Sequence, residues 1–155
     1  MTSDISFRLS DWLKHEVISG GGKGVVFGLS GGIDSTVTAY LCKMAFPENS
    51  LGLIIPCYSN KADMDDAKSV AKEIDLKYET VNIDATYNSL LDEFGDMRDD
   101  RDIPLANIKP RLRMTVLYYY ANRLNYFVIG TGNKSELTVG YFTKYGDGGC
   151  DLLPL

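Results

Sequence analysis

The chain has 155 residues, 45% of them hydrophobic and 24% charged, and a formal net charge of -5. That is the size and mix of one ordinary domain able to bury its own core, which excludes disordered, collagen-like and multi-domain organisations. No apolar run approaches the ~20 residues of a membrane span, Met1 to Lys14 lacks a signal peptide's apolar core, and the acidic balance repels a phosphate backbone, so we expect a cytoplasmic protein with neither membrane nor nucleic-acid partners.

In chain order, Ile5, Leu9, Trp12, Leu13 and Val17 recur at helical spacing behind Ser3 and Asp4, predicting a first helix stopped by Gly20, Gly21 and Gly22. Its apolar stripe is expected to face a sheet. Val25 to Leu29 is the short apolar run of a strand covered on both faces. Ile33, Val37, Tyr40, Leu41 and Met44 then return to helical period and predict the buried stripe of the next helix. Leu51 to Pro56 reads as a second strand. Ala67, Val70, Ala71 and Ile74 mark a helix with Asp63 as its expected cap. Tyr78 to Ile83 reads as a third strand, followed by a helical or irregular stretch through Leu90. The segment Phe94 to Pro104, rich in Asp and Arg, reads as a solvated loop. Pro110 fits the first turn of a helix running to about Asn125, and Tyr126 to Ile129 reads as a fourth strand. Strands alternating with helices predict an α/β fold, a doubly wound parallel sheet with helices on both faces. Such sheets bind ligands at the carboxyl ends of their strands, so the loops after Leu29, Pro56 and Ile129 should meet.

The cysteines Cys42, Cys57 and Cys150 are odd in number and widely spread, suggesting neither a disulfide framework nor a zinc site. The single histidine, His15, is assigned no function. The chemistry concentrates in Gly28-Leu29-Ser30-Gly31-Gly32-Ile33-Asp34-Ser35, which joins the first strand to its helix. Glycines let backbone amides approach an anion, the helix N-terminus adds partial positive charge, and Ser30 and Ser35 add hydroxyl donors. No Gly-Lys-Ser/Thr closes the loop as in Walker A, and the dinucleotide fingerprint G-x-G-x-x-G does not align on it. Asp34 aims a carboxylate at a phosphate cradle, an arrangement that makes sense with a divalent cation between them. On the residues alone, Asp34 and Glu136 also fit as helix-start carboxylates and Asp147 as a turn residue. Tyr118-Tyr119-Tyr120 reads as core and partner-subunit packing.

The Ser-Gly-Gly-x-Asp-Ser set resembles the pyrophosphate-binding loop of the N-type ATP pyrophosphatases, which adenylate their substrates. Gly130-Thr131-Gly132-Asn133-Lys134-Ser135-Glu136, the segment Gly140 to Asp151 and Asn107 to Met114 narrow the resemblance to the ammonia-dependent NAD synthetases. The resemblance implies an adenine nucleotide alpha hydrolase-like fold, Rossmann-like in outline, with residues 1–155 as one domain, shorter at its C-terminal end than members of the family. It implies an ATP-dependent amidation of deamido-NAD to NAD through an adenylate, with ammonia as donor and AMP and pyrophosphate as products. ATP would lie on Gly28, Leu29, Ser30, Gly31, Gly32, Ile33, Asp34, Ser35 and Thr131, and Mg2+ on Asp34 and Glu136. Deamido-NAD would lie on Arg111, Tyr141, Lys144 and Asp151, with Phe142 an alternative ring partner, Asp147 near the ammonia, and Cys57 and Tyr58 near the adenosine. A homodimer is implied, with the tyrosine-rich helix from Arg111 to Leu124 a reasonable contact surface.

Overall fold

The computed structural model describes residues 2–95 and 103–155; Met1, Asp96 to Asp102, part of the expected solvated loop, and the Thr2 and Ser3 side chains lie outside the described residues. The elements are α1 (Thr2–Ser19), β1 (Gly24–Gly28), α2 (Ile33–Ala45), β2 (Ser50–Ile54), α3 (Lys61–Glu73), β3 (Lys77–Thr80), α4 (Asp84–Glu93), α5 (Ile103–Ala106), α6 (Ile108–Leu124), β4 (Tyr126–Ile129) and α7 (Lys134–Val139). The four strands form one parallel sheet in the order β3-β2-β1-β4. The chain winds outward from β1 through β2 to β3, then returns through α6 to place β4 on the other flank of β1. The strand order therefore reverses between β1 and β4, the place where open α/β sheets hold their ligands.

Side-chain alternation along the strands sorts the core into two layers. Val25, Phe27, Ile54 and Ile129 point to the face covered by α1, α2 and α3, with Leu13, Val17, Ala39, Cys42, Ala67 and Ala71. Val26, Leu53, Ile55 and Val128 point to the other face, where Tyr87 and Leu91 of α4 and Ala121 of α6 meet them. Both faces are covered, as the near-continuous apolar strands predict. Among the described residues no helix is long and apolar enough to cross a membrane.

Three sequence expectations are corrected. The stripe of α2 is not the one hydropathy selects: Ile33 is 74% exposed, Val37, Tyr40 and Met44 are also exposed, and only Leu41 of that set is buried. Instead Ser35, Thr38, Ala39, Cys42 and Ala45 face inward beside Leu41. Ser35, whose hydroxyl donates to Gly32 O at 2.9 Å, begins this buried face, and Thr38, Ala39 and Cys42 continue it at i+3, i+4 and i+7. The cap of α3 is Asn60, whose side chain accepts from the Asp63 amide at 2.8 Å; Asp63 stands three residues inside. Finally, β3 covers only Lys77–Thr80 and is exposed throughout, because it is an edge strand. The placement of Pro110 in the first turn of α6 and the extent of β4 are as expected.

Candidate active site

The turn between β1 and α2 is held by its own hydroxyls. Ser30 and Ser35 place their Oγ atoms 3.0 Å apart, the Ser30 amide donates to Ser35 Oγ at 3.3 Å, and Gly32 N donates to Ser30 Oγ at 3.3 Å. Gly31 lies at φ +86° against the first turn of α3, where a Cβ would come within 3.0 Å of Asp63 O and of Ala67 N. Only glycine combines that dihedral with that approach. At the head of α2, Gly32 is the N-cap and offers no side chain to the first-turn amides. Those N–H groups, with the positive end of the helix dipole, form a ready anion site. The heads of α3 and α7 differ, since Asn60 and Asn133 cap them.

Across the crevice, the turn after β4 carries a complete capping box. The Asn133 side chain accepts from the Glu136 amide at 3.0 Å, and the Asn133 amide donates to Glu136 Oε2 at 3.0 Å. The same Asn133 extends Nδ2 to Asp34 Oδ2 at 3.2 Å, a contact between residues 99 positions apart. The two carboxylates expected to share a cation are thus brought to one place.

The segment after α7 docks on the head of α6. Thr143 Oγ1 donates to Asn107 Oδ1 at 2.7 Å, and Arg111 Nε donates to Lys144 O at 3.3 Å. Gly146 and Gly149 make room for α6: a Cβ on either would stand 3.0 Å from Pro110 Cβ or Met114 Cγ. Asp147 accepts from the Thr143 amide at 2.9 Å, so it closes the turn, as the bare sequence allowed. The Lys144 ammonium lies 5.0 Å from the centroid of the Tyr145 ring. Asp151, although exposed, commits both carboxylate oxygens to the protein: Oδ1 accepts from Tyr118 Oη at 2.9 Å and Oδ2 from the Val128 amide at 2.8 Å. It completes the flank of β4, where Leu152 also bridges Ile129.

These pieces surround a cavity of about 390 Å³, lined from the three loops by Ser30, Pro56, Ser59 and Thr131, and from α6 by Pro110, Arg113 and Met114. The loops after Leu29, Pro56 and Ile129 meet there as predicted. Of the expected site residues, Gly28, Leu29, Ser30, Thr131 and Asp147 line the cavity. Asp34 and Glu136 stand beside the loops whose Ser30 and Thr131 do. Arg111, Tyr141, Lys144 and Asp151 lie outside it, and Tyr141 is 78% exposed. Cys57 is buried and Tyr58 is exposed, its amide held by Asp84 Oδ1 at 2.7 Å. Burial pushes the thiols of Cys57 and Cys150 up, the latter with help from the Asp151 charge, against the direction that activates a thiol.

Two residues in the quoted motifs were given no task by sequence reasoning. Arg113 lines the cavity and donates Nε to Ile55 O at 2.9 Å. That carbonyl stands at the carboxyl end of β2, where β1 has already turned away. Asn133 had a legible signal, an asparagine three residues before a glutamate.

Fold and site together define an open parallel α/β protein in which an uncapped helix head behind a glycine-serine turn carries one carboxylate, Asp34, and is tied through Asn133 to the turn that carries a second, Glu136, at the sheet's switch point. The sequence model of the NAD synthase family matches residues 5–155, and the chain belongs to that family. It is 51% identical over 150 residues to an NH(3)-dependent NAD(+) synthetase of Carboxydothermus hydrogenoformans, covering 96% of this chain and 62% of that one. With the enzyme of the same description from Finegoldia magna it is 50% identical, covering 95% and 60%. Among solved structures it superposes on the NH3-dependent NAD synthetase of Campylobacter jejuni with a TM-score of 0.91 at 38% identity, covering 99% of this chain and 66% of that one. It superposes on an NMN synthetase of Francisella tularensis with a TM-score of 0.93 at 36% identity, covering 100% and 64%. The chain thus spans about three fifths of the length of the curated relatives it matches.

Proposed function

We propose that the chain carries out the ATP-dependent amidation of deamido-NAD to NAD, with ammonia as nitrogen donor and AMP and pyrophosphate as products. The observation that carries this reading is the uncapped head of α2, which itself bears Asp34 and is tied by Asn133 to the turn carrying Glu136 at the β1–β4 reversal. The donor set fits magnesium, which is held by one or two carboxylates together with phosphate oxygens rather than by an all-protein cage. When bound, the ion neutralises charge on the departing pyrophosphate.

The chain's own residues supply the rest. The first-turn amides of α2, from Ile33 to Ser35, receive the phosphates, Ser30 and Ser35 hold the loop that presents them, and Thr131 contacts the nucleotide from the β4 side. Arg111 and Lys144, brought together at the head of α6, suit the diphosphate and carboxylate of the dinucleotide, and Tyr141 or Phe142 its pyridine ring. Asp151, tied to Val128 and Tyr118, acts in this scheme by holding the segment that carries Lys144. The substrate carboxylate attacks the α phosphorus and pyrophosphate leaves. Ammonia attacks the resulting acyl carbon, a proton passes to Asp147 through its second oxygen, and AMP leaves. No side-chain nucleophile is needed, so catalysis rests on positioning and charge stabilisation. We place the enzyme in the cytoplasm, as a homodimer joined through α6, whose Tyr119 is 57% exposed.

The test is AMP and NAD formation from ATP, magnesium, deamido-NAD and ammonium. Product that requires deamido-NAD supports the reading, and Asp34→Ala and Glu136→Ala should each lower the rate at least ~100-fold. AMP formed with nicotinate mononucleotide in place of the dinucleotide would transfer the reading to the mononucleotide, the chemistry named for the Francisella tularensis neighbour. ATP binding without AMP under any substrate would reduce the chain to a nucleotide-binding domain.

A further inference from the structure

We infer that Asn133 is a positioning residue for the cation site, a strut that fixes Asp34 and Glu136 relative to each other. The inference rests on the proposed reading and deepens it. Three observations carry it. The Asn133 side chain spends its oxygen on the Glu136 amide and its Nδ2 on Asp34 Oδ2, while its own amide holds Glu136 Oε2. One residue therefore touches both carboxylates, one in the first turn of α2 and the other in the first turn of α7.

The contacts are also selective. Asp34 is held by Oδ2 and Glu136 by Oε2, and Oδ1 and Oε1 have no hydrogen-bond partner among the described residues. Each carboxylate is anchored through one oxygen and keeps the other for a cation, the arrangement by which outer partners orient metal-binding groups. Finally, the contact spans the crevice. The two turns belong to adjacent parallel strands, β1 and β4, whose register is fixed only up to Phe27 and Ile129. Beyond that point the Asn133–Asp34 hydrogen bond ties the head of α2 directly to the turn after β4.

The helix-capping part of this role and the cross-crevice part separate by substitution. Asn133→Ser keeps an N-cap oxygen for the Glu136 amide and keeps the backbone donor to Glu136, but deletes the arm to Asp34. The probe is Mn2+, measured by water-proton relaxation in the presence of α,β-methylene-ATP, with thermal melting as the control for folding. Asn133→Ser should weaken Mn2+ binding about 10-fold with its melting curve unmoved. Asn133→Asp, which caps equally well but sets a carboxylate against Asp34, should weaken it further. Asn133→Ser binding Mn2+ like the unaltered chain, while Asp34→Ala does not bind, overturns the strut and leaves the cation site standing. Asp34→Ala binding Mn2+ normally overturns the cation site and the strut with it.

Discussion

The two halves of the candidate site are built differently. The turn from Ser30 to Ser35 is finished by its own contacts: two hydroxyls bond each other and the backbone, Gly31 seats on α3, and α2 presents amides that no side chain covers. In the segment after α7 the backbone is equally well fixed, through Asn107, Arg111 and Asp147, but its large side chains stand in solvent, Tyr141 at 78% and Tyr145 at 66% exposure. The nucleotide side is thus complete as a shape, and the substrate side is a scaffold whose rings stand largely in solvent and whose Lys144 meets only the neighbouring Tyr145 ring. The difference says where binding energy is preorganised: phosphates meet fixed donors, while a dinucleotide would have to order side chains as it binds.

The largest expected effect tests the finished half. Gly31→Val combines a left-handed dihedral with contact against α3 backbone, a strain of about 1–3 kcal/mol for the dihedral before any clash. ATP binding by calorimetry should fall at least ~100-fold, and the melting temperature should drop. Gly140→Ala is the matched control. Gly140 has φ +73° as the C-cap of α7 and nothing within 4 Å of its Cβ position, so strain is its only cost. Equal losses at the two glycines would show that the seat on α3 contributes nothing.

Next in size is Asp151→Ala. It strips acceptors from the buried Val128 amide and from Tyr118, so stability to urea should fall by about 1–3 kcal/mol. The same substitution at Asp147, which serves an exposed turn, should cost under about 1 kcal/mol in stability while lowering the amidation rate. A stable Asp151→Ala would return that carboxylate to the role of a direct ligand.

How far these roles are legible in the sequence depends on what fixes each residue. The strands and the loops that meet at their carboxyl ends are legible because continuous apolar runs and glycine-serine turns are local signals. The phase of α2 is not, since its buried face is made of small residues, Ser35, Thr38, Ala39, Cys42 and Ala45, and not of the bulk of Ile33, Val37, Tyr40 and Met44. Small residues lie under α2 because the helix approaches the sheet closely, and hydropathy counts them as weak. Asn60 displaced Asp63 as cap for a similar reason, because any oxygen at the right turn position serves. Family resemblance pointed to Asp34 and Glu136 together, yet the residue between them was visible only in three dimensions, through a hydrogen bond 99 positions long.

A smaller effect, and one with a pH signature, belongs to Tyr118. Burial first, and then its hydrogen bond to the Asp151 carboxylate, push its hydroxyl well above the ordinary value of about 10. A group whose folded pKa is raised stabilises the fold fully below its unfolded pKa, and that contribution disappears as pH rises through the folded one. Tyr118→Phe should therefore be about 1 kcal/mol less stable than the unaltered chain near neutrality. Above pH 10 the gap should close, because only the unaltered chain has a phenol to ionise at position 118. A gap that stays constant to pH 11 would mean that the hydroxyl contributes no proton-linked stability.

The smallest expected effect tests the unfinished half. Tyr141→Ser removes a ring that is mostly in solvent, so stability should move by no more than about 0.5 kcal/mol. If the ring's task is to receive a pyridine, KM for deamido-NAD should rise several-fold while the affinity for ATP, set by the Ser30 to Ser35 turn, stays fixed. A loss of stability instead would mean that Tyr141 is packed in solution. The two halves of the site would then be alike in how much of their order exists before any ligand arrives.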